Sequence, residues 1–274
     1  MDRPREFVFD IPSHPGIGIR DNADGPPVQP RDAATVILLR DAADGPEVFL
    51  QHRVRGMAFA GGMTVFPGGG VDPRDADASV AWAGPPPSWW AERFTCDEGL
   101  ARALVCAAVR ETFEESGVLL AGTEDAVVAD VAPYREARKA LESKEISLAG
   151  FLADAGLTLR ADLLRPYAHW VTPREEPRRY DTRFFAAQLP PGQRADGATS
   201  EADAVGWQRP ADAIADAREG RRTLMPPTWL TLTELGEFVT AGAALAQPRE
   251  IVKTMPTLVR DGENIRVILD PTED

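Results

Sequence analysis

The segment R-E-T-F-E-E-S-G-V, Arg110 to Val118, carries three glutamates at i, i+3 and i+4: Glu111, Glu114 and Glu115. On a helix that spacing projects all three carboxylates from one face, a few ångströms apart. Without a counter-charge the arrangement is unfavourable. Glu111 and Glu115 repel across one turn by roughly 0.2–0.5 kcal/mol, and carboxylates in a last turn oppose the helix macrodipole by roughly 0.3–1 kcal/mol each. A divalent cation turns that repulsion into ligation, because Mg²⁺ and Mn²⁺ prefer hard carboxylate oxygens. Gly117 stands where a C-terminal cap would end the helix. A solvated acidic stripe is the alternative for any E-x-x-E-E, so the neighbouring residues must decide.

Upstream lies V-F-P-G-G-G-V-D, Val65 to Asp72. Gly68, Gly69 and Gly70 are expected to form a turn, free to adopt positive φ and to let backbone approach a ligand. Pro67 stiffens its entry. A short strand, a glycine turn and a helix bearing R-E-x-x-E-E-x-G together resemble the Nudix hydrolases, whose signature is G-x5-E-x7-R-E-U-x-E-E-x-G-U with U bulky and apolar. Gly69 takes the first glycine, Arg110 and Glu111 the R-E, Glu114 and Glu115 the E-E, Gly117 and Val118 the ending. The chain departs from the pattern between Gly69 and Glu111, where it is about 27 residues longer. Counted back from Arg110, the early glutamate falls on Arg102, with Glu98 one turn before as a substitute. Thr112 occupies the first apolar position.

The resemblance implies an α/β/α sandwich with a mixed sheet and a site that holds Mg²⁺ or Mn²⁺. Glu111, Glu114 and Glu115 are the implied metal ligands, with the Gly69 carbonyl a further one. Arg110 orients the carboxylates, and Glu111 or an acid from a later loop, Glu201 with Asp203 in reserve, serves as general base. The implied reaction is attack of water on a diphosphate in a nucleoside diphosphate linked to another moiety.

The similarity extends beyond the signature. F-L-Q-H-R…G-G-M-T-V-F-P-G-G-G-V-D looks like the approach to the signature in coenzyme A diphosphatases. H-W-V-T-P…R-Y-D-T-R-F-F and W-Q-R-P…M-P-P-T are similar to their peroxisomal-type branch. That branch implies coenzyme A or its acyl esters as substrate, with Arg53, Gly68 and Gly70 contacting it. Arg55, Arg174, Arg178, Arg179 and Arg183 are further candidates for fork-like phosphate contacts, against a surface or ion-pair role for each, and Tyr180, Trp170 and Phe59 for stacking on adenine, against core packing. ADP-ribose, NADH or a nucleoside triphosphate remain alternative substrates, and a catalytically silent ligand-sensing module is a reading of another class.

The composition is compatible with this chemistry. A 274-residue chain can bury a large core. Its net charge of −13 and lack of a basic stripe argue against polymeric nucleic acid, but not against a small anion held by local arginines. Two cysteines, Cys96 and Cys106, make no disulfide framework. No apolar stretch reaches membrane-spanning length, and the charged start M-D-R-P-R-E lacks a signal-peptide core. The expected location is the cytoplasm.

The elements that must position the carboxylates follow from periodicity and punctuation. Residues 1–30 are expected to be an irregular arm and residues 31–274 a single domain. Ala33 to Leu39 and Glu47 to His52 are expected strands around Asp44-Gly45-Pro46. A Pro- and Trp-rich insertion spans 73–95, where Trp82, Trp89 and Trp90 either cover the site or anchor a surface excursion. Asp97 to Ser116 is the carboxylate helix. Pro133 to Glu142 and Ser147 to Ala155 form a helical insertion at about 133–165, with Ser147 as N-cap. Strands return at A-H-W-V-T near Trp170, Arg183 to Leu189 and Ala204 to Trp207, followed by a helix from Pro210 to about Glu219. Pro226-Pro227 precedes a last helix, Thr228 to about Ala241, stopped by Gly242. A hairpin around Asp261-Gly262 offers an edge through which two copies could pair as a homodimer.

Overall fold

The computed structural model describes residues 6–10, 26–56, 60–123, 125–199 and 202–269. In chain order the strands are β1 (Glu6–Asp10), β2 (Arg31–Ala42), β3 (Gly45–Arg53), β4 (Thr64–Val65), β5 (Gly68–Gly70), β6 (Trp82–Ala83), β7 (Ala121–Gly122), β8 (Thr158–Arg160), β9 (Leu164–Val171), β10 (Tyr180–Gln188), β11 (Ala202–Gln208), β12 (Lys253–Thr254), β13 (Thr257–Asp261) and β14 (Asn264–Ile268). The helices are α1 (Pro87–Phe94), α2 (Glu98–Ser116), α3 (Arg135–Glu142), α4 (Leu148–Asp154), α5 (Pro210–Arg218), α6 (Pro226–Leu235) and α7 (Ala241–Ala246).

Alternation along β2 decides the layering. Ala34, Val36 and Leu38 pack into one core with α1, α2 and α4, whereas Ile37 and Leu39 point to the other core with α5, α6 and α7. Strand β10 repeats the division, with Phe185 and Ala187 on the first side and Phe184 and Ala186 on the second. A period of two with both faces apolar needs helices on both faces, and the result is an α/β/α sandwich. The main sheet runs β11-β3-β2-β10-β9-β12, with β4 on β3 and β5 on β2. β2 and β10 are parallel, which the long crossover between them permits; β3 and β11 are antiparallel.

Several expectations are corrected. The arm is not irregular throughout, because β1 pairs antiparallel with β14, Phe7 opposite Val267. That pairing covers the β14 edge of the hairpin, and β13 lies at the other end of this three-stranded sheet. The last helix starts at Pro226 rather than after the two prolines, since the first turn of a helix needs no N–H donors. It ends at Leu235, and Gly242 sits inside the separate α7, whose N-cap is Thr240.

The insertion after Asp72 folds as a 3₁₀ turn, Pro73–Ala76, followed by β6 and α1. Its tryptophans anchor it and do not cover the site. Trp90 is fully buried against Phe94 and Phe185, the Trp82 indole N–H donates to the Pro85 carbonyl at 2.8 Å, and Arg93 stacks on Trp89. Among the described residues no helix is long and apolar enough to cross a membrane.

Candidate active site

Helix α2 is delimited by the residues that sequence chemistry assigns to its ends. The Asp97 carboxylate accepts from the Leu100 N–H at 2.9 Å. Gly117 closes the helix at φ 72°, a left-handed conformation that other residues adopt at a cost. Leu104, Ala107 and Ala108 bury one face against the sheet. The last turns then bring Glu111, Glu114 and Glu115 to the wall of a cavity of about 600 Å³.

The three glycines are a strand and not a turn. Residues 68–70 pair antiparallel with Thr35, Ala34 and Ala33, and none of them has positive φ. Glycine is required by close approach instead. A Cβ on Gly69 would lie 2.6 Å from Glu111 Oε1, so the strand crosses directly over the carboxylate. The Gly68 N–H donates to Glu115 at 2.8 Å, and the Gly70 carbonyl accepts from Arg110 at 3.0 Å. These two peptide groups thus hold side chains of α2 in place, alongside the substrate contact expected of them.

Arg110 is only 7 % exposed and organises the charges. Its guanidinium grips Asp75 with two prongs, Nε at 3.0 Å and Nη2 at 2.8 Å. Nη1 donates to Glu111 at 2.7 Å and lies 3.3 Å from Glu114. Glu115 accepts from the buried Gln51 amide at 2.9 Å. Burial, then the nearby Glu111 charge, push the Glu114 carboxyl up to about 7. From α3, Arg138 donates to the Glu114 carbonyl at 3.0 Å and pairs with Asp196 at 2.7 Å.

Among the described residues no three acidic, histidine or cysteine side chains are gathered as a preformed metal site. The expected cluster is instead divided: Arg110 stands between Glu111 and Glu114, while Glu115 is turned to Gln51 and Gly68. The donor chemistry still fits a hard divalent ion. Three carboxylates of one helical face line one cavity, and a cation there would relieve the repulsion that holds the Glu114 proton.

Asp75 corrects the reading of the signature. It stands six residues after Gly69, the separation the pattern sets for its early glutamate, and it meets Arg110 directly. The extra residues therefore follow the early acid and do not precede it. Arg102 takes no part in the cavity; its guanidinium lies 5.4 Å from the Trp82 ring and pins the insertion to α2. Glu98 is no substitute, because the first turn of α2 lies roughly 20 Å along the axis from Glu111.

Arg53, Arg178, Trp170 and Tyr180 line the cavity as expected, joined by Arg31 and Lys144, which were not. Arg179 and Arg183 are structural. Arg179 is bound to the Thr172 and Val28 carbonyls at 3.0 and 2.7 Å, and Arg183 to Asp32 and Asp181 at 2.7 Å each. Arg55 and Arg174 are exposed and outside the cavity. Glu201 and Phe59 fall outside the described residues. Asp203 is exposed, meets His52 Nδ1 at 2.6 Å and does not line the cavity.

Asp75 and Gln51 had readable signals. D-P-R-D places a carboxylate at the N-cap and another three residues on, the pattern of a capping box, which Asp72 and Asp75 form. Gln51 lies on the same strand face as the buried Phe49, where a polar side chain needs a partner.

Known proteins resemble this chain in sequence and fold. The family described as the NUDT19 Nudix domain matches residues 91–235, just over half of the chain. The chain is 29% identical over 207 residues to a putative nudix hydrolase 7 of Caenorhabditis elegans, across 76% of this chain and 61% of that protein. It thus spans about three fifths of the length of that relative. A crystal structure of a NUDIX hydrolase from Alicyclobacillus acidocaldarius superposes with a TM-score of 0.69 at 28% identity, covering 81% of this chain and 98% of that one. On the matched domain and the helix that ends it, this chain belongs to the Nudix hydrolase family.

Proposed function

We propose that the chain hydrolyses the diphosphate of a nucleoside diphosphate joined to another moiety, with coenzyme A or an acyl-coenzyme A as substrate. Water enters and the P–O–P bridge breaks, leaving two phosphate monoesters: 3′,5′-ADP and the (acyl-)phosphopantetheine. The observation that carries the reading is one cavity lined by three carboxylates of α2 and by Arg31, Arg53 and Arg178. Acids alone would bind only a cation, and arginines alone only an anion; a metal-bridged diphosphate uses both.

Glu111, Glu114 and Glu115, with the Gly69 carbonyl, are the proposed ligands of Mg²⁺ or Mn²⁺. Such ions neutralise the diphosphate and lower the pKa of bound water. Glu115 is held rigid by Gln51 and Gly68. Glu111 and Glu114 would give up their contact with Arg110 to hold the cation, and Arg110 would stay anchored by Asp75. Glu111, beneath Gly69, is the proposed base for the attacking water. Arg53 and Arg178 bind the phosphates, and Tyr180 and Trp170 the adenine.

Glu115→Gln is expected to abolish Mg²⁺-dependent hydrolysis of coenzyme A with the fold retained by circular dichroism. Retained turnover in that variant would sink the metal assignment. Product identity separates substrates, since ADP-ribose and NADH yield AMP in place of 3′,5′-ADP.

A further inference from the structure

The walls of the cavity differ in chemistry according to the element that supplies them. Charged side chains enter from α2, from β2 and β3 and from the loops before α4 and β10. The small sheet built from the two ends of the chain supplies Leu258 on β13 and Val267 on β14, with Pro256 just before them. Leu258 and Val267 face each other across the hairpin, and Phe7 continues the row on β1. Leu258 on β13 and Ile265 and Val267 on β14 are buried on one face of the hairpin, while Arg260, on the same face nearer the turn, is exposed. Met63, Ile265 and Ala60 share one buried cluster with Leu258 and Val267, and Val65 and Met225 pack against it; Ala60, Val65 and Met225 line the cavity as well. The sheet is also fastened to the cavity rim, through the Leu258 N–H to Glu175 at 3.3 Å and Arg179 to the Met255 sulfur at 3.3 Å.

We propose that Leu258, Val267 and Met225 form a specificity wall for an extended alkyl or acyl arm carried by the leaving half of the substrate. The assignment rests on the diphosphate-hydrolase reading above and adds to it which element selects the leaving group. A diphosphate bound at the carboxylates leaves its second substituent to run along the same cavity. A wall with no charged group rewards apolar length and gives nothing to a polar sugar.

ADP esters bearing a methyl, butyl or octyl group on the β-phosphate test the wall without requiring coenzyme A itself. Hydrolysis with Mn²⁺ yields AMP and the alkyl phosphate. KM is expected to fall with chain length, and kcat/KM for the octyl ester to exceed that for the methyl ester by at least about tenfold. Leu258→Asn is expected to reduce that octyl-to-methyl ratio by about tenfold. Met225→Gln, on a different element, is expected to reduce it as well, and so serves should the hairpin variant fail to fold. A flat chain-length profile in the unaltered protein, or ratios unchanged in both variants, would overturn the proposal while leaving diphosphate hydrolysis standing. No cleavage of any ester would instead overturn the underlying reading.

Discussion

Arg110 and Asp75 lie 35 residues apart in the chain and meet through two parallel hydrogen bonds of 3.0 and 2.8 Å. Both are almost wholly buried. The pair lets one arginine stand among three glutamates without depending on them, so the carboxylates can turn to a cation while Arg110 stays in place. Asp75→Asn is expected to destabilise the protein by about 3 kcal/mol, the range for breaking a buried ion pair. It is also expected to weaken Mn²⁺ binding, because the guanidinium then leans on Glu111 and Glu114. Thermal melts and calorimetric metal titration measure the two effects; an unchanged metal affinity would show that Arg110 is anchored by other contacts.

Arg138 performs a related service from outside the cavity. The last carbonyls of a helix have no partner within it, and Arg138 supplies one for Glu114 at 3.0 Å. Arg138→Met should cost about 1–3 kcal/mol, the desolvation of an unsatisfied buried acceptor. It should also loosen the turn that aims Glu114, lowering kcat more than it raises KM. Equal activity per folded molecule would reduce Arg138 to a purely structural role.

The shift of Glu114 to about 7 gives a pH dependence of definite sign. Its carboxyl is protonated below that value in the metal-free protein, so a metal must displace a proton to bind. Affinity for Mn²⁺ should therefore rise with pH up to about 7 and then level, changing by roughly tenfold per pH unit below it. Because burial and Glu111 raise this pKa above its unfolded value, the metal-free protein should lose stability as pH climbs from 4.5 towards 7. Mn²⁺ should restore what is lost. Titrations at several pH values that gave one constant affinity would contradict the assignment of Glu114 as a ligand.

Gly69→Ala places a methyl 2.6 Å from the Glu111 carboxylate. The strand is locked to β2 and cannot move aside readily, so Glu111 must swing away. Overpacking of this kind costs about 1–3 kcal/mol, and hydrolysis should fall by a larger factor than stability alone explains. Gly70→Ala is the control, since the nearest atom to its Cβ is 4.0 Å away. Equal losses in both variants would refute the close-approach argument.

Much of the site was legible because its chemistry is local. Helical spacing alone puts Glu111, Glu114 and Glu115 on one face, and Asp97 and Gly117 mark the helix ends in the residues they favour. Ser147 caps α4 for the same reason. Non-local partners were harder to read. Counting back from Arg110 placed the early acid at Arg102, because spacing cannot tell on which side of an acid an insertion lies. Arg179 and Arg183 were candidates for phosphate contacts as well as for ion pairs, and their partners Val28 and Asp32, distant in the chain, decide for a structural role.

The sequence by itself determined which residues could bind a divalent ion and which helix presents them, since both follow from side-chain type and a 3.6-residue period. Its motifs also carried the resemblance that implied an α/β/α sandwich, which the two cores on either side of the sheet bear out. Tertiary structure alone decided that the glycines are a strand over Glu111, that Asp75 holds Arg110, and that β13 and β14 supply a wall of the cavity. Those outcomes depend on pairings across tens to hundreds of residues, whose geometry is set by packing and not by any local preference.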